Sequence, residues 1–416
     1  MSVAVAHLMP AHFTQQVARA FHERGSLEAL FCTLVDQPSA PWQRLISGLA
    51  GATGRDLNRD FRRRAITEIP VDRVRARPWR ELVRMAQVKL LDRPVLGDRL
   101  FHWTRDGFES WVSRQLQLPC FAGLRWLYGY EYGSLDIFRA ARRLGIGTIY
   151  DLPSPEHDAV ETLLAPEFER FPALVTPYRT HTLALHQERT ERRRAEWEAA
   201  DLVIANSSFT ARTWQRPDWA PRPVEVVPLG APPPAEDPGE GLQGAPLRLL
   251  WAGTFSIRKG AHLLLEALQT LGIGPGRLVV EVFGAVTLPP ALLQRLPDSL
   301  ILKGSIPRQE LMVEMRRAHA LLFPTLCDGF GLVVNEAFSQ GLPVVTTRRA
   351  GAADLVRSGS NGWLIEPGSS AAIVDWIRQA LLDPASLNAC REAAWTTAAQ
   401  WQWSDYRRRL REVIPA

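Results

Sequence analysis

Cys327-Asp328-Gly329-Phe330-Gly331-Leu332-Val333-Val334-Asn335-Glu336-Ala337 is the stretch that decides how this chain reads. Ahead of it runs Ala320-Leu321-Leu322-Phe323-Pro324, a short apolar stretch that predicts a buried parallel strand. Behind it, Ala337-Phe338-Ser339-Gln340-Gly341 ends a helix at a glycine, and Leu342-Pro343-Val344-Val345-Thr346 begins another buried strand. An acid therefore sits at the C-terminal end of a strand, a glycine-rich turn follows, and a helix opens with a second acid in its first turn. In open α/β sheets ligands bind at that edge. The N–H groups of Gly331, Leu332 and Val333 at a helix start suit a phosphate. Glu336, about one turn in, suits the two hydroxyls of a ribose. The plain alternative is an ordinary strand–helix junction with solvated acids.

Further motifs flank this stretch. They are Trp251-Ala252-Gly253-Thr254-Phe255-Ser256-Ile257-Arg258-Lys259-Gly260, Val282-Phe283-Gly284, Lys303-Gly304 and Gly359-Ser360-Asn361-Gly362-Trp363-Leu364. Together with Asp328 and Glu336 they resemble the acid-x7-acid motif and its surroundings in retaining GT-B glycosyltransferases, in particular the large family 4. The resemblance is strong over roughly Leu247 to Pro367, weaker from about Leu118 to Gly230, and very weak before that. The family usually has Glu at both ends of the motif; here the first acid is Asp328. It often has Arg directly after the glycine of the Trp251–Gly253 strand end; here that place is Thr254.

Composition sets the bounds. A chain of 416 residues suits two domains. Hydrophobic content of 46% and charged content of 22% are those of a soluble globular protein. No run of about 18 apolar residues occurs, so no transmembrane helix is expected. The start, Met1-Ser2-Val3-Ala4-Val5-Ala6-His7-Leu8, reads as a first strand and not as a signal peptide. Cys32, Cys120, Cys327 and Cys390 are far apart and show no metal spacing, which predicts free thiols in a cytoplasmic protein.

Val3–Leu8, a helical stretch over His12–Arg24 and the apolar run Leu27–Val35 form a β-α-β opening. Residues 55–99 hold thirteen Arg/Lys and seven Asp/Glu, a net of +6. Two readings stand for this segment: a solvated helical face, or contact with a charged acceptor or with anionic lipid, the latter as peripheral contact on the inner membrane face. The runs around Tyr128–Gly133 and Thr148-Ile149-Tyr150 predict strands whose following loops line a cleft. The loop Asp151–His157, stiffened by Pro153 and Pro155, offers Asp151 and His157 as candidate catalytic groups. Glu131 and Glu156 are further polar groups at such ends. Ala173–Glu198 predicts one long, solvent-facing helix, and Ser207 or Ser208 caps the helix after it.

Residues 231–246 are rich in Pro, Gly and Glu and read as a linker. The expected domains are 1–230 on the acceptor side, 247–392 on the donor side, and a closing helix over 393–416 that packs back on the first. In the second domain, Gly253 opens the turn into the helix Ala261–Leu271, with Arg258 and Lys259 at its entrance. Two cations there suit a diphosphate. Lys303 falls in a loop that in the family borders the base.

The resemblance implies two Rossmann-like domains facing across a cleft, an α/β fold of the GT-B kind. It implies transfer of a hexose from a UDP- or GDP-linked sugar with retention at the anomeric carbon. Asp328, Asp151 and His157 are the candidate catalytic residues. Arg258, Lys259, Gly253, Gly331, Leu332, Val333, Glu336 and Lys303 are the candidates for holding the donor. No cofactor beyond the donor substrate and no metal are expected, since no Asp-x-Asp motif lies in a suitable loop. Alternatives are a sugar-nucleotide epimerase on the same fold and a non-catalytic nucleotide-sugar binder. A nucleic-acid protein is disfavoured because basic and aromatic residues do not interleave.

Overall fold

Apolar runs such as Val3–Ala6, Leu247–Ala252 and Ala320–Phe323 are almost entirely buried, which is the state of strands covered by helices on both faces. The computed structural model describes residues 2–52, 58–91, 93–242, 244 and 246–415. Residues 53–57 and 92 of the basic segment, and 243 and 245 of the linker, lie outside the described residues.

The first sheet contains β1 (Val3–Ala6), β2 (Leu27–Cys32), β3 (Val74–Ala76), β4 (Trp126–Tyr130), β5 (Gly147–Leu152), β6 (Leu202–Ala205) and β7 (Val224–Val226). Its strand order is β3-β2-β1-β4-β5-β6-β7. The second contains β8 (Leu247–Ala252), β9 (Leu278–Phe283), β10 (Leu300–Gly304), β11 (Ala320–Phe323), β12 (Val344–Thr347) and β13 (Gly362–Ile365), in the order β10-β9-β8-β11-β12-β13. The pairings within both sheets are parallel. Each sheet starts in its middle and winds outward both ways. The switch points therefore fall between β1 and β4 and between β8 and β11, the places where such sheets open a crevice.

Three expectations change. β5 runs through Asp151 and Leu152, with Asp151 in register with Tyr130 of β4 and Ile204 of β6. Asp151 thus sits in a strand and not in the loop after it. The stretch expected as one long helix is a short turn at Pro172–Leu174 followed by helices Pro177–Ala184 and His186–Ala199. Its last helix is not simply solvent-facing, because Glu196 and Trp197 are buried. Glu196 accepts the amides of Tyr132 and Ser134 and the hydroxyl of Tyr150 at 2.7, 3.0 and 2.7 Å, so its charge is met from three sides. The closing segment is also two helices. Arg391–Gln400 packs on the helix Leu332–Ser339, while Trp403–Val413 crosses to the first helix, His12–His22. There Arg407 Nη1 donates to Gln16 Oε1 at 2.6 Å, and Arg411 Nη1 to the Ala20 carbonyl at 3.0 Å.

Candidate functional site

The C-terminal strand edges of both sheets border one cleft of about 410 Å³. Asp151, Pro153 and Asn206 line it from the first sheet; Gly253, Lys259, Asp328 and Glu336 line it from the second. The domains touch at its rim. The Gly329 carbonyl accepts the hydroxyls of Ser207 and Thr210 at 3.1 and 3.2 Å, and Asp354 Oδ2 accepts the Ser208 amide at 2.7 Å. Ser207 also caps its own helix through the Thr210 amide.

The helix over Leu332–Ser339 begins at Gly331, whose φ of 87° is left-handed. A Cβ there would lie 2.7 Å from the Phe323 ring, so only glycine fits. The amides of Leu332 and Val333 open the helix and have no carbonyl one turn back to bond. Leu332 and Val333 line the cleft, and so does Lys259. The Lys259 ammonium stands 3.9 Å from Asp328 Oδ2 and 5.2 Å from the Phe323 ring centre. A cation, a helix N-terminus and two acids therefore face one space, an arrangement that suits a diphosphate with hydroxyl groups on both sides.

Glu336 is held by Arg308 Nε at 2.8 Å. Burial raises its carboxyl above the ordinary range, and the Arg308 guanidinium pulls it back part of the way. Arg308 begins the helix Arg308–Arg316 and was not singled out by sequence, where nothing ties it to the acid motif.

Asp151 lies on the floor of the cleft and is buried. Its Oδ2 accepts the Tyr128 hydroxyl at 2.5 Å. Burial pushes its carboxyl up from 3.8 to about 7, against the opposing pull of that hydrogen bond. Tyr406 of the closing helix also lines the cleft.

Other candidates fall elsewhere. Arg258 is exposed; its Nε donates to the Cys327 carbonyl at 2.9 Å, so it braces the loop before Asp328 and does not line the cleft. Lys303 is exposed and pairs with Glu281 at 3.0 Å, away from the cleft. Glu156 caps the helix His157–Arg170 through the amides of Asp158 and Ala159. His157, first in that helix, turns instead to His186, with ring centres 5.0 Å apart. Burial lowers the His157 imidazole to about 4. His157, Asp158 and His186 offer ligand atoms within 4.8 Å of one another, but Asp158 is already engaged by Arg216 and by Thr190 at 3.1 Å. Glu131 is bound by Arg193 at 2.7 Å and by Ser154 at 2.6 Å.

Residues 235–396 match the family described as glycosyl transferases group 1. The match falls on the second sheet and its helices. Over 241 residues, the chain is 31% identical to D-inositol 3-phosphate glycosyltransferase 1 of Catenulispora acidiphila, which spans 52% of this chain and 57% of that protein. The chain spans about half the length of the curated relatives it matches. Sucrose-phosphate synthase of Thermosynechococcus elongatus superposes over 99% of this chain and 98% of its own, with a TM-score of 0.65 at 16% identity. Anabaena HepE in complex with UDP does so over 99% of both chains, with a TM-score of 0.57 at 17% identity. Structural likeness at such identities speaks for the fold, and that fold is GT-B: two parallel α/β sheets facing across a cleft.

Proposed function

We propose that the protein transfers a hexose from a nucleotide diphosphate sugar to an acceptor, with retention at the anomeric carbon. The observation that carries this reading is the convergence of Lys259, the open amides of Leu332 and Val333, and Glu336 on one cleft with Asp151 opposite. In this reading the diphosphate lies against Lys259 and the helix start, which meet the charge that grows on the leaving group without calling on a metal. Glu336 takes the ribose hydroxyls and Asp328 the sugar hydroxyls. Asp151 stands on the acceptor wall, where a carboxyl held near neutrality can bond a hydroxyl in either protonation state. A structural relative in complex with UDP supports a nucleotide diphosphate in the cleft, and the names of the curated relatives support glycosyl transfer; UDP- and GDP-linked sugars are the proposed donors.

Peripheral contact of a cytoplasmic enzyme with anionic membrane belongs to the same reading. The helix Trp79–Leu90 supports it by exposing Trp79, Val83, Val88 and Leu90 within the basic segment. Incubation with UDP-, GDP- and ADP-sugars, scoring nucleotide release with and without candidate acceptors, tests the activity. Binding of no nucleotide diphosphate in a thermal-shift panel would overturn it.

A further inference from the structure

A second cavity, of about 470 Å³, lies in the first domain. The helices Trp79–Leu90, Pro94–Gln115, Pro177–Ala184 and His186–Ala199 form its walls, together with the turn after β4. Three arginines line it: Arg84, Arg189 and Arg193.

Their pairing leaves donors unused. Arg189 Nη2 bonds both oxygens of Asp98 at 2.8 Å, and Asp98 Oδ2 also meets His181 Nε2 at 3.0 Å. Asp98, the one carboxylate among the lining residues, is therefore engaged through both oxygens. Arg84 is held by Glu81 at 2.7 and 2.8 Å. Arg193 is 8% exposed and gives its Nε to Glu131. Yet Arg189 Nε and Arg193 Nη1 are buried and meet no acceptor among the described residues. A buried guanidinium N–H without an acceptor is costly, and a ligand with several anionic oxygens is the natural partner for such donors.

Tyr132 adds an independent sign. Among the described residues it is the one non-glycine with a positive φ, 65°. Its ring stacks on Phe101 with planes 2° apart, and the guanidinium carbons of Arg105 and Arg193 lie 4.8 and 4.7 Å from its centre. Left-handed backbone at a bulky residue persists where the surroundings enforce it, and it clusters at ligand sites. Here it aims an aromatic ring at the arginine wall.

A chain of contacts links the cavity to the cleft. Arg193 holds Glu131, Glu131 holds Ser154, and the neighbouring Pro153 lines the cleft. The Glu131 amide donates to the Asp151 carbonyl at 3.1 Å. A molecule anchored in the cavity thus sits one strand along the same sheet edge from Asp151.

We infer that this cavity binds a phosphate group carried by the acceptor, held by Arg189 and Arg193 beside Tyr132. That the phosphate belongs to the acceptor rests on the glycosyl-transfer reading, since the donor diphosphate has its own cation in the cleft. A phosphate monoester suits this lining, because it brings three terminal oxygens as acceptors to a cavity lined by three arginines and one engaged carboxylate. The same chemistry can come from a soluble sugar phosphate or from a lipid headgroup.

The test is calorimetry on the full chain with inorganic phosphate and glucose 6-phosphate, with and without saturating UDP. Binding that persists with UDP present, and weakens about tenfold or more in both Arg193→Lys and Arg189→Lys while UDP affinity stays unchanged, is the expected result. Lysine keeps the charge opposite Glu131 or Asp98 and removes the guanidinium fork, so retained UDP binding reports an intact fold. Vesicles containing phosphatidic acid form the second arm. Pelleting that glucose 6-phosphate competes away assigns the phosphate to a lipid; no pelleting assigns it to a soluble acceptor. Absence of phosphate binding at the UDP-saturated protein, or equal binding by wild type and both variants, overturns the inference and leaves the transfer reading standing. Phosphate binding in a protein that binds no nucleotide diphosphate would overturn the transfer reading, and the acceptor assignment with it.

Discussion

Tyr128 donates its hydroxyl to Asp151 Oδ2 at 2.5 Å on the floor of the cleft, joining neighbouring strands β4 and β5 through their side chains. The pair lies in the buried middle of the first sheet, with one carboxyl facing the space between the domains.

The Asp151 carboxyl has an ordinary value of 3.8 and stands at about 7 in the folded protein. The folded state therefore holds this proton more tightly than the unfolded chain does. The stabilisation is full below about pH 4 and is lost as pH rises through about 7. Each tenfold difference in proton affinity between the two states is worth about 1.4 kcal/mol, so Asp151→Asn should be more stable than wild type at pH 8 by a few kcal/mol at most. The difference should vanish near pH 4. Thermal unfolding at pH 4, 6 and 8 measures it, and a pH-independent difference would mean that the carboxyl does not titrate in this window. Transfer by Asp151→Ala should fall by a factor on the order of 100, in line with a lost positioning or acid–base group, with nucleotide affinity unchanged.

Lys259 is the cation that lines the cleft, and Arg258 is a brace on the loop before Asp328. Lys259→Ala should remove a charge-assisted contact of about 1.5–3 kcal/mol and weaken binding of the cognate nucleotide diphosphate about tenfold or more. Arg258→Ala should change that affinity much less and act instead by loosening residues 325–327. Calorimetric titration of both variants separates the roles; equal losses would put Arg258 on the diphosphate as well.

The two acids of the motif should separate in the same way. Glu336→Gln should weaken free nucleotide binding through the ribose, while Asp328→Asn should leave nucleotide binding intact and lower turnover of the sugar donor. Full transfer by Asp328→Asn would remove that carboxylate from the sugar. Arg308 bonds Glu336 at the cleft, so Arg308→Ala should alter nucleotide affinity without touching any residue of the motif itself.

Most strands of both sheets were legible because they are short apolar runs between glycine and proline signals; β3, Val74-Arg75-Ala76, was not, because it is half-buried and lies inside the basic segment. The second-domain wall of the cleft was legible because Gly331, Glu336 and Lys259 lie in local patterns that resemble a family motif, and the structure brings all three to one cleft. The opposite wall was not. Asp151 and His157 are six positions apart and read as one loop, but β5 extends through Leu152 and Glu156 caps a helix that turns His157 away to His186. Tyr128, Arg308 and Tyr406 reach the site from elements distant in sequence, and no local pattern marks a contact made only by tertiary packing. The second cavity escaped for the same reason: Arg84 and Arg193 come from helices far apart in the chain, and each alone reads as a solvated charge.

Gly329 is a point where the two domains touch at the site. A Cβ on it would fall 2.3 Å from the Pro153 carbonyl oxygen, a backbone atom that cannot swing aside. Its carbonyl is also the acceptor shared by Ser207 and Thr210. Its backbone is not in the left-handed region, so alanine introduces no torsional strain and acts only through this clash. Gly329→Ala should therefore push the Asp328 loop away from the Pro153 loop and widen the cleft. In the proposed reading the donor is held by residues of the second domain, so nucleotide affinity should hold within about threefold. The proposed transfer places Asp151 and Asp328 on opposite sides of one closed space, and misplacement by about 1 Å can cost on the order of 100-fold. Steady-state kinetics should accordingly show kcat reduced at least tenfold with nucleotide affinity kept, and small-angle scattering should show a larger radius of gyration. Wild-type turnover in Gly329→Ala would mean that the contact at Pro153 is dispensable for closing the site.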